Sequence, residues 1–73
     1  MDMRELTRFY ELYREVRKRM TAAKAAELLG FRDRYYLSRI PSYYKRNKLS
    51  DVGLARINTK LERLIKLYDQ LRI

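Results

Sequence analysis

The sequence predicts an all-α fold, a small bundle of about four helices, on three observations. Apolar residues make up 47% of the 73 positions, with seven Tyr and two Phe among them, which is enough for a core and too much for a disordered polycation. In two long runs, 6–20 and 54–71, apolar residues recur at alternating spacings of three and four, the repeat of one helical face. The one proline and both glycines lie outside those runs, where they punctuate the chain.

A first helix is expected in the N-terminal segment, 1–20. Residues 2–19 contain no Gly or Pro, and Leu6, Phe9, Tyr13, Val16 and Met20 form one stripe, while Arg4, Glu5, Arg8, Glu11, Arg14 and Glu15 occupy the other faces as solvated charge. Thr21 can cap a second helix, because its hydroxyl accepts from a backbone N–H that the first turn leaves unpaired. Ala22 to Leu29 is rich in strong helix formers, and Gly30 follows where a helix end needs a left-handed residue. Asp33 then suits the cap of a third helix over about 34–40, ended by Pro41 because the residue before a proline is biased out of the helical region. Residues 41–50 read as a basic loop; a minimal two-stranded wing anchored by Tyr43, Tyr44 and Leu49 is the alternative. Ser50 and Asp51 resemble the cap and first turn of a last helix over 51–73. There Leu54, Ile57, Leu61, Leu64, Tyr68 and Leu71 follow spacings of 3, 4, 3, 4 and 3, with Ile65 and Leu67 widening the stripe and Asn58–Thr59 marking a candidate break.

Size and composition narrow the functions open to such a chain. Its 73 residues make one domain at most, and a chain this short buries only about 60% of the surface that its unfolded form exposes. With no Cys and no His it has no disulfide, no usual zinc finger, no cysteine nucleophile and no His-based acid/base pair. An enzyme is therefore not expected, and neither is a cofactor, a metal or a small-molecule substrate. No apolar run approaches the roughly 20 residues that span a bilayer, and no leader-like segment opens the chain, so a cytoplasmic location without membrane contact is the expectation.

The 18 Lys and Arg against 9 Asp and Glu leave a balance of +9, and its placement is uneven. Residues 1–16 carry three basic and four acidic groups, a balance of −1. Residues 17–48 carry ten basic groups against Glu27 and Asp33, a balance of +8, and residues 49–73 carry five against three. Concentration of cations in the middle third marks it as the segment that meets an anionic partner.

Two short helices joined by a Gly-containing turn, the second one basic and aromatic, are what a major-groove reader requires. The run Thr21-Ala22-Ala23-Lys24-Ala25-Ala26-Glu27-Leu28-Leu29-Gly30-Phe31 resembles the first helix and turn of the helix-turn-helix DNA-binding family, with Ala26 in the place of its small crossing residue. That family's next core positions fall at Tyr36 and Arg39, whereas the apolar residues here are Leu37 and Ile40, so a turn longer by one residue, Phe31-Arg32-Asp33, is inferred. Two branches compete. Lys48-Leu49-Ser50-Asp51-Val52 after a basic loop resembles excisionase-like and MerR-like winged domains, while Arg34-Tyr35-Tyr36-Leu37-Ser38-Arg39-Ile40 resembles the recognition helix of small phage repressors. The resemblance covers residues 21–52 and implies a helix-turn-helix at 21–40.

On that resemblance Leu37 and Ile40 face inward, and Arg34, Tyr35, Ser38 and Arg39 form the outer face that contacts base edges, with Tyr36 at the boundary. Arg can donate two hydrogen bonds to guanine O6 and N7, worth about 1–3 kcal/mol of discrimination each. Lys24, Arg32, Lys45, Arg46 and Lys48 are the expected backbone contacts. Tyr36, Tyr43 and Tyr44 are read first as core fillers, and Arg17-Lys18-Arg19 equally as a solvated helix end or as phosphate ligands. The C-terminal stripe of Leu54, Ile57, Leu61, Leu64, Tyr68 and Leu71 either packs on its own chain or joins two copies. The dimer is preferred, because a seam of about 18 residues is long for one small domain to cover. Two recognition helices would then address half-sites roughly 34 Å apart.

The implied function is sequence-specific binding of double-stranded DNA by a small transcriptional regulator, viral or plasmid-borne given its size, acting near the nucleoid or in a host cytoplasm. Two alternatives use the same residues: a packaging factor that binds nucleic acid without sequence choice, with Tyr43-Tyr44 beside Lys45-Arg46 for stacking, and a helical protein adaptor whose charge serves solubility.

Overall fold

A computed structural model describes residues 3–71. Four helices fill it: α1 (Arg4–Arg19), α2 (Ala22–Leu28), α3 (Tyr36–Lys45) and α4 (Asp51–Leu71), with no strand among the described residues. Met1, Asp2, Arg72 and Ile73, the outermost residues of the two terminal segments, lie outside the described residues.

α1 and α4 make the main contact, and they run in the same direction. Asn58 Nδ2 donates to the Glu5 carbonyl at 2.9 Å, Arg8 pairs with Glu62, and Arg19 pairs with Asp69, so partners rise together along both helices. A parallel pair needs a crossover, which α2 and α3 supply. The core closes between them: Leu6, Phe9 and Val16 from α1, Ala25 and Ala26 from α2, Leu37, Ile40 and Tyr44 from α3, and Leu54, Ile57 and Leu61 from α4 are all buried.

Local chemistry fixes the short elements. Thr21 Oγ1 accepts from Lys24 N at 3.1 Å at the start of α2, and Ser50 Oγ accepts from Gly53 N at 3.0 Å at the start of α4. At the end of α2, Phe31 N donates to Ala26 O at 2.9 Å and Gly30 N to Glu27 O at 3.1 Å, around a φ of 84° at Gly30. That is a Schellman ending, which satisfies carbonyls the helix leaves open. α3 ends the same way: Lys48 N donates to Tyr43 O at 2.8 Å and Asn47 N to Tyr44 O at 3.1 Å, with Asn47 at φ 59°.

Three expectations are corrected here. The third helix does not start at 34 under an Asp33 cap, since its N-cap is Tyr35 and Asp33 holds the turn before it; nor does Pro41 stop it, and 41–50 is neither a wing nor wholly a loop, because α3 continues to Lys45. The lost bond and ring clash of an interior proline cost roughly 3 kcal/mol. Against this stand Leu37, Ile40 and Tyr44, all buried on one face and each contributing about 1.5–3 kcal/mol. Tyr44 also donates its hydroxyl to Asp51, tying the last turn of α3 to the first turn of α4. Second, α4 is unbroken at Asn58–Thr59: Thr59 Oγ1 donates back to Ala55 O at 3.1 Å, and Asn58 is buried against the first turn of α1. Third, Leu54, Ile57 and Leu61 are not a dimer surface, since they pack inside their own chain. Of the expected seam, Leu64 and Tyr68 are half-buried and only Leu71 is exposed. The parallel α1 supplies the cover that the seam's length had suggested must come from a second copy.

Candidate nucleic-acid interface

α2, the turn 29–35 and α3 carry most of the residues singled out for contact. Leu37 and Ile40 point into the core, and Arg34, Tyr35, Ser38 and Arg39 are exposed. Asp33 organises this group. Its Oδ1 accepts from Tyr35 N at 2.8 Å, holding the turn that leads into α3, and its Oδ2 lies 3.0 Å from Arg39 Nη1. Ser38 Oγ donates to Tyr35 O at 2.8 Å. The Tyr35 ring, itself exposed, is near two guanidiniums, with Arg34 Cζ 4.9 Å and Arg39 Cζ 5.8 Å from its centroid. One carboxylate and one ring thus restrict the directions open to both arginines, which lowers the entropy lost when either meets a ligand.

Tyr36 is half-buried beside Phe31, with ring centroids 4.6 Å apart, and beside Tyr43 at 5.9 Å. It belongs to the wall behind the exposed face. Lys24 and Arg32 line an open depression with Thr21, Glu27, Gly30 and Arg34; Lys24 Nζ lies 3.9 Å from Glu27. Lys45, Arg46 and Lys48 are exposed at the opposite end of α3. Because α3 runs on through Pro41, Tyr35, Ser38, Arg39, Ser42 and Arg46 recur at helical spacing on one outward stripe. Ser42 is not legible as part of this stripe in the sequence, because a proline biases the residue before it out of the helical region.

The basic end of α1 divides. Arg19 is 19% exposed and makes a two-bond fork to Asp69, with Nε–Oδ1 at 2.8 Å and Nη2–Oδ2 at 2.9 Å. Those bonds raise its pKa further above an already high value. Lys18 lies 2.9 Å from Glu15, and this hydrogen bond, with that from Arg19, holds the Glu15 carboxyl below its ordinary range. Arg19 is thereby committed to the contact between α1 and α4, while the Lys18 pair stays at the surface. Arg17 lies over the Tyr13 ring at 6.0 Å and is exposed.

Counting charge by segment hid a second cationic row. Glu62 and Asp69 turn toward Arg8 and Arg19 of α1, so the cations of α4 lose the acids that balance them in the sequence. Arg56, Lys60 and Arg63 stand at i, i+4 and i+7 on one side of α4, with Lys66 nearby. The spacing was legible; the direction taken by the acids was not. Among the described residues no cluster of three or more acidic side chains gathers to hold a metal ion, and no helix is long and apolar enough to cross a membrane.

No protein family, curated protein or solved structure matches the chain.

Proposed function

We propose that the chain binds double-stranded DNA sequence-specifically, as a small transcriptional regulator, with α2 and α3 as a helix-turn-helix and α3 in the major groove. The observation that carries this reading is the outward stripe of α3. Arg34 and Tyr35 of the preceding turn join Ser38 and Arg39 at its start, and cations flank both ends. The ten residues of α3 span about 15 Å at 1.5 Å per residue, enough to cross a groove about 12 Å wide. Arg34 and Arg39 then address base edges, while Lys24 and Arg32 on one side and Lys45, Arg46 and Lys48 on the other meet the two backbones. The reading is made for the single chain, because three of the six residues expected to join two copies are core.

Selection of bound duplexes from a random pool, followed by titration, tests it. The selected site should bind at least about a thousandfold more tightly than random duplex. Arg39→Ala should relax the preference at one position, whereas Arg46→Ala should weaken all duplexes alike and reduce the salt slope by about one. Equal affinity for every duplex in the pool removes the regulator reading.

A further inference from the structure

Away from α3, the C-terminal half of α4 and the end of α2 border a groove of about 300 Å³ lined by Leu28, Leu29, Lys60, Arg63, Leu64 and Leu67. Its floor is apolar yet open: Leu28 is 54% exposed, Leu67 55%, and Leu71 one turn further on 73%. From Lys60 to Leu71 the wall runs about 16 Å, three turns of unbroken helix. Exposed leucines grouped on a chain otherwise covered in charge mark a contact surface.

We infer that this groove takes an amphipathic helix of a partner protein, leucine-rich on one face and acidic along its flank. Charge decides the occupant. Among the described residues Arg63 and Lys66 have no carboxylate partner, and Lys60 Nζ lies over the Phe31 ring, 5.5 Å from its centroid. Of the acids of the same helix, Glu62 and Asp69 are engaged with α1 and Asp51 with Tyr44. A second copy of this chain would bring the same cations to the rim, and like charges across an interface oppose pairing. Nucleic acid would satisfy the cations and leave the leucines wet. Only a helix with apolar anchors at i, i+3 or i+4 and i+7 and carboxylates beside them answers both features. The inference stands whether or not α3 reads DNA, since the two surfaces share no residue.

The test titrates two synthetic 15-residue helical peptides into the isotope-labelled full chain, both with leucines at i, i+4, i+7 and i+11, one flanked by Glu and the other by Lys. The Glu-flanked peptide should bind at least tenfold more tightly, with amide shifts centred on Leu28, Leu29, Lys60, Arg63, Leu64 and Leu67. Leu67→Glu and, separately, the pair Lys60→Ala and Arg63→Ala should each weaken it at least tenfold, with unchanged circular dichroism; all three positions are exposed, so the fold survives. Equal affinity for the two peptides, shifts elsewhere, a chain that already dimerises through these leucines in sedimentation, or displacement of the peptide by duplex DNA at the same residues would each overturn the inference.

Discussion

Leu61→Ala distinguishes a seam that closes one chain from a seam that joins two. Leu61 is fully buried between α4 and the rest of the core, and truncation to Ala leaves a void that its rigid neighbours refill only in part. Such changes cost about 2–5 kcal/mol. A domain of this size has roughly 4–11 kcal/mol in all, at about 0.05–0.15 kcal/mol per residue. With about 4–8 °C of Tm per kcal/mol for small domains, a loss near 3 kcal/mol lowers Tm by roughly 12–24 °C. Leu67→Ala is the control: its side chain is more than half exposed, and its loss should cost about 1 kcal/mol or less. Thermal unfolding followed by circular dichroism at two protein concentrations a hundredfold apart reads both effects. The wild-type Tm should not move between the two, since a core inside one chain is indifferent to dilution. A Leu61→Ala protein within about 1 kcal/mol of wild type, or a wild-type Tm that climbs with concentration as this variant's does not, would refute the placement of the seam.

Other perturbations follow from single contacts. Gly30→Ala should cost about 1–2 kcal/mol in urea unfolding although no atom lies within 4 Å of the added carbon, because the backbone there is left-handed; Asn47→Gly, at a φ of 59°, should gain a few tenths of a kcal/mol. Asn58→Asp should cost roughly 3 kcal/mol or more at neutral pH, since it buries a carboxylate where the amide now lies 3.0 Å from Glu5 Oε1, and the loss should shrink as pH falls; an equal loss at pH 4 and pH 7 would contradict this. Glu15 has a folded-state pKa below its unfolded one, so its contribution is present above the unfolded value and disappears as pH falls through the folded one. Glu15→Gln should therefore flatten the acid limb of the stability profile below the ordinary carboxylate range and leave the alkaline limb alone.

Most features with local determinants are legible in the sequence; the start of α3 is the exception, because Asp33 commits its carboxylate to the turn and leaves the N-cap position to Tyr35. The Thr21 and Ser50 caps, the left-handed Gly30 and the inward Leu37 and Ile40 each depend on residues within a turn or two, and each stands where expected. Pro41 failed because a local penalty was weighed without Tyr44, whose burial depends on α4 arriving beside α3. The seam failed for a related reason: periodicity identifies an apolar face but does not say whose surface covers it. Glu62 and Asp69 of α4 are a third case, balanced against their neighbours in the sequence and against α1 in space. In the candidate interface, Arg34, Tyr35, Ser38 and Arg39 were legible as one exposed face, whereas Asp33's grip on Arg39 needed the turn geometry.

The continuation of α3 past Pro41 also changes what the basic segment can do under the proposed reading. As a loop, Lys45, Arg46 and Lys48 would be adaptable clamps, free to follow a phosphate wherever the helix came to rest. As the end of a helix, Arg46 is fixed two turns, about 10.5 Å, from Arg39 on the same stripe. A helix of this length laid in a curved groove would not keep both of those positions at base edges, so under this reading one end reads and the other anchors. The end proposed to read is the one with organised side chains: Arg34 and Arg39 are held by Tyr35 and Asp33, whereas among the described residues Lys45 and Arg46 have no such support. Under the proposed reading Arg39 would therefore set which sequence is chosen, and Arg46 how strongly any sequence is held. Swapping the two phenotypes, with Arg46→Ala altering base preference and Arg39→Ala altering only salt dependence, would mean that α3 lies in the groove in the opposite sense.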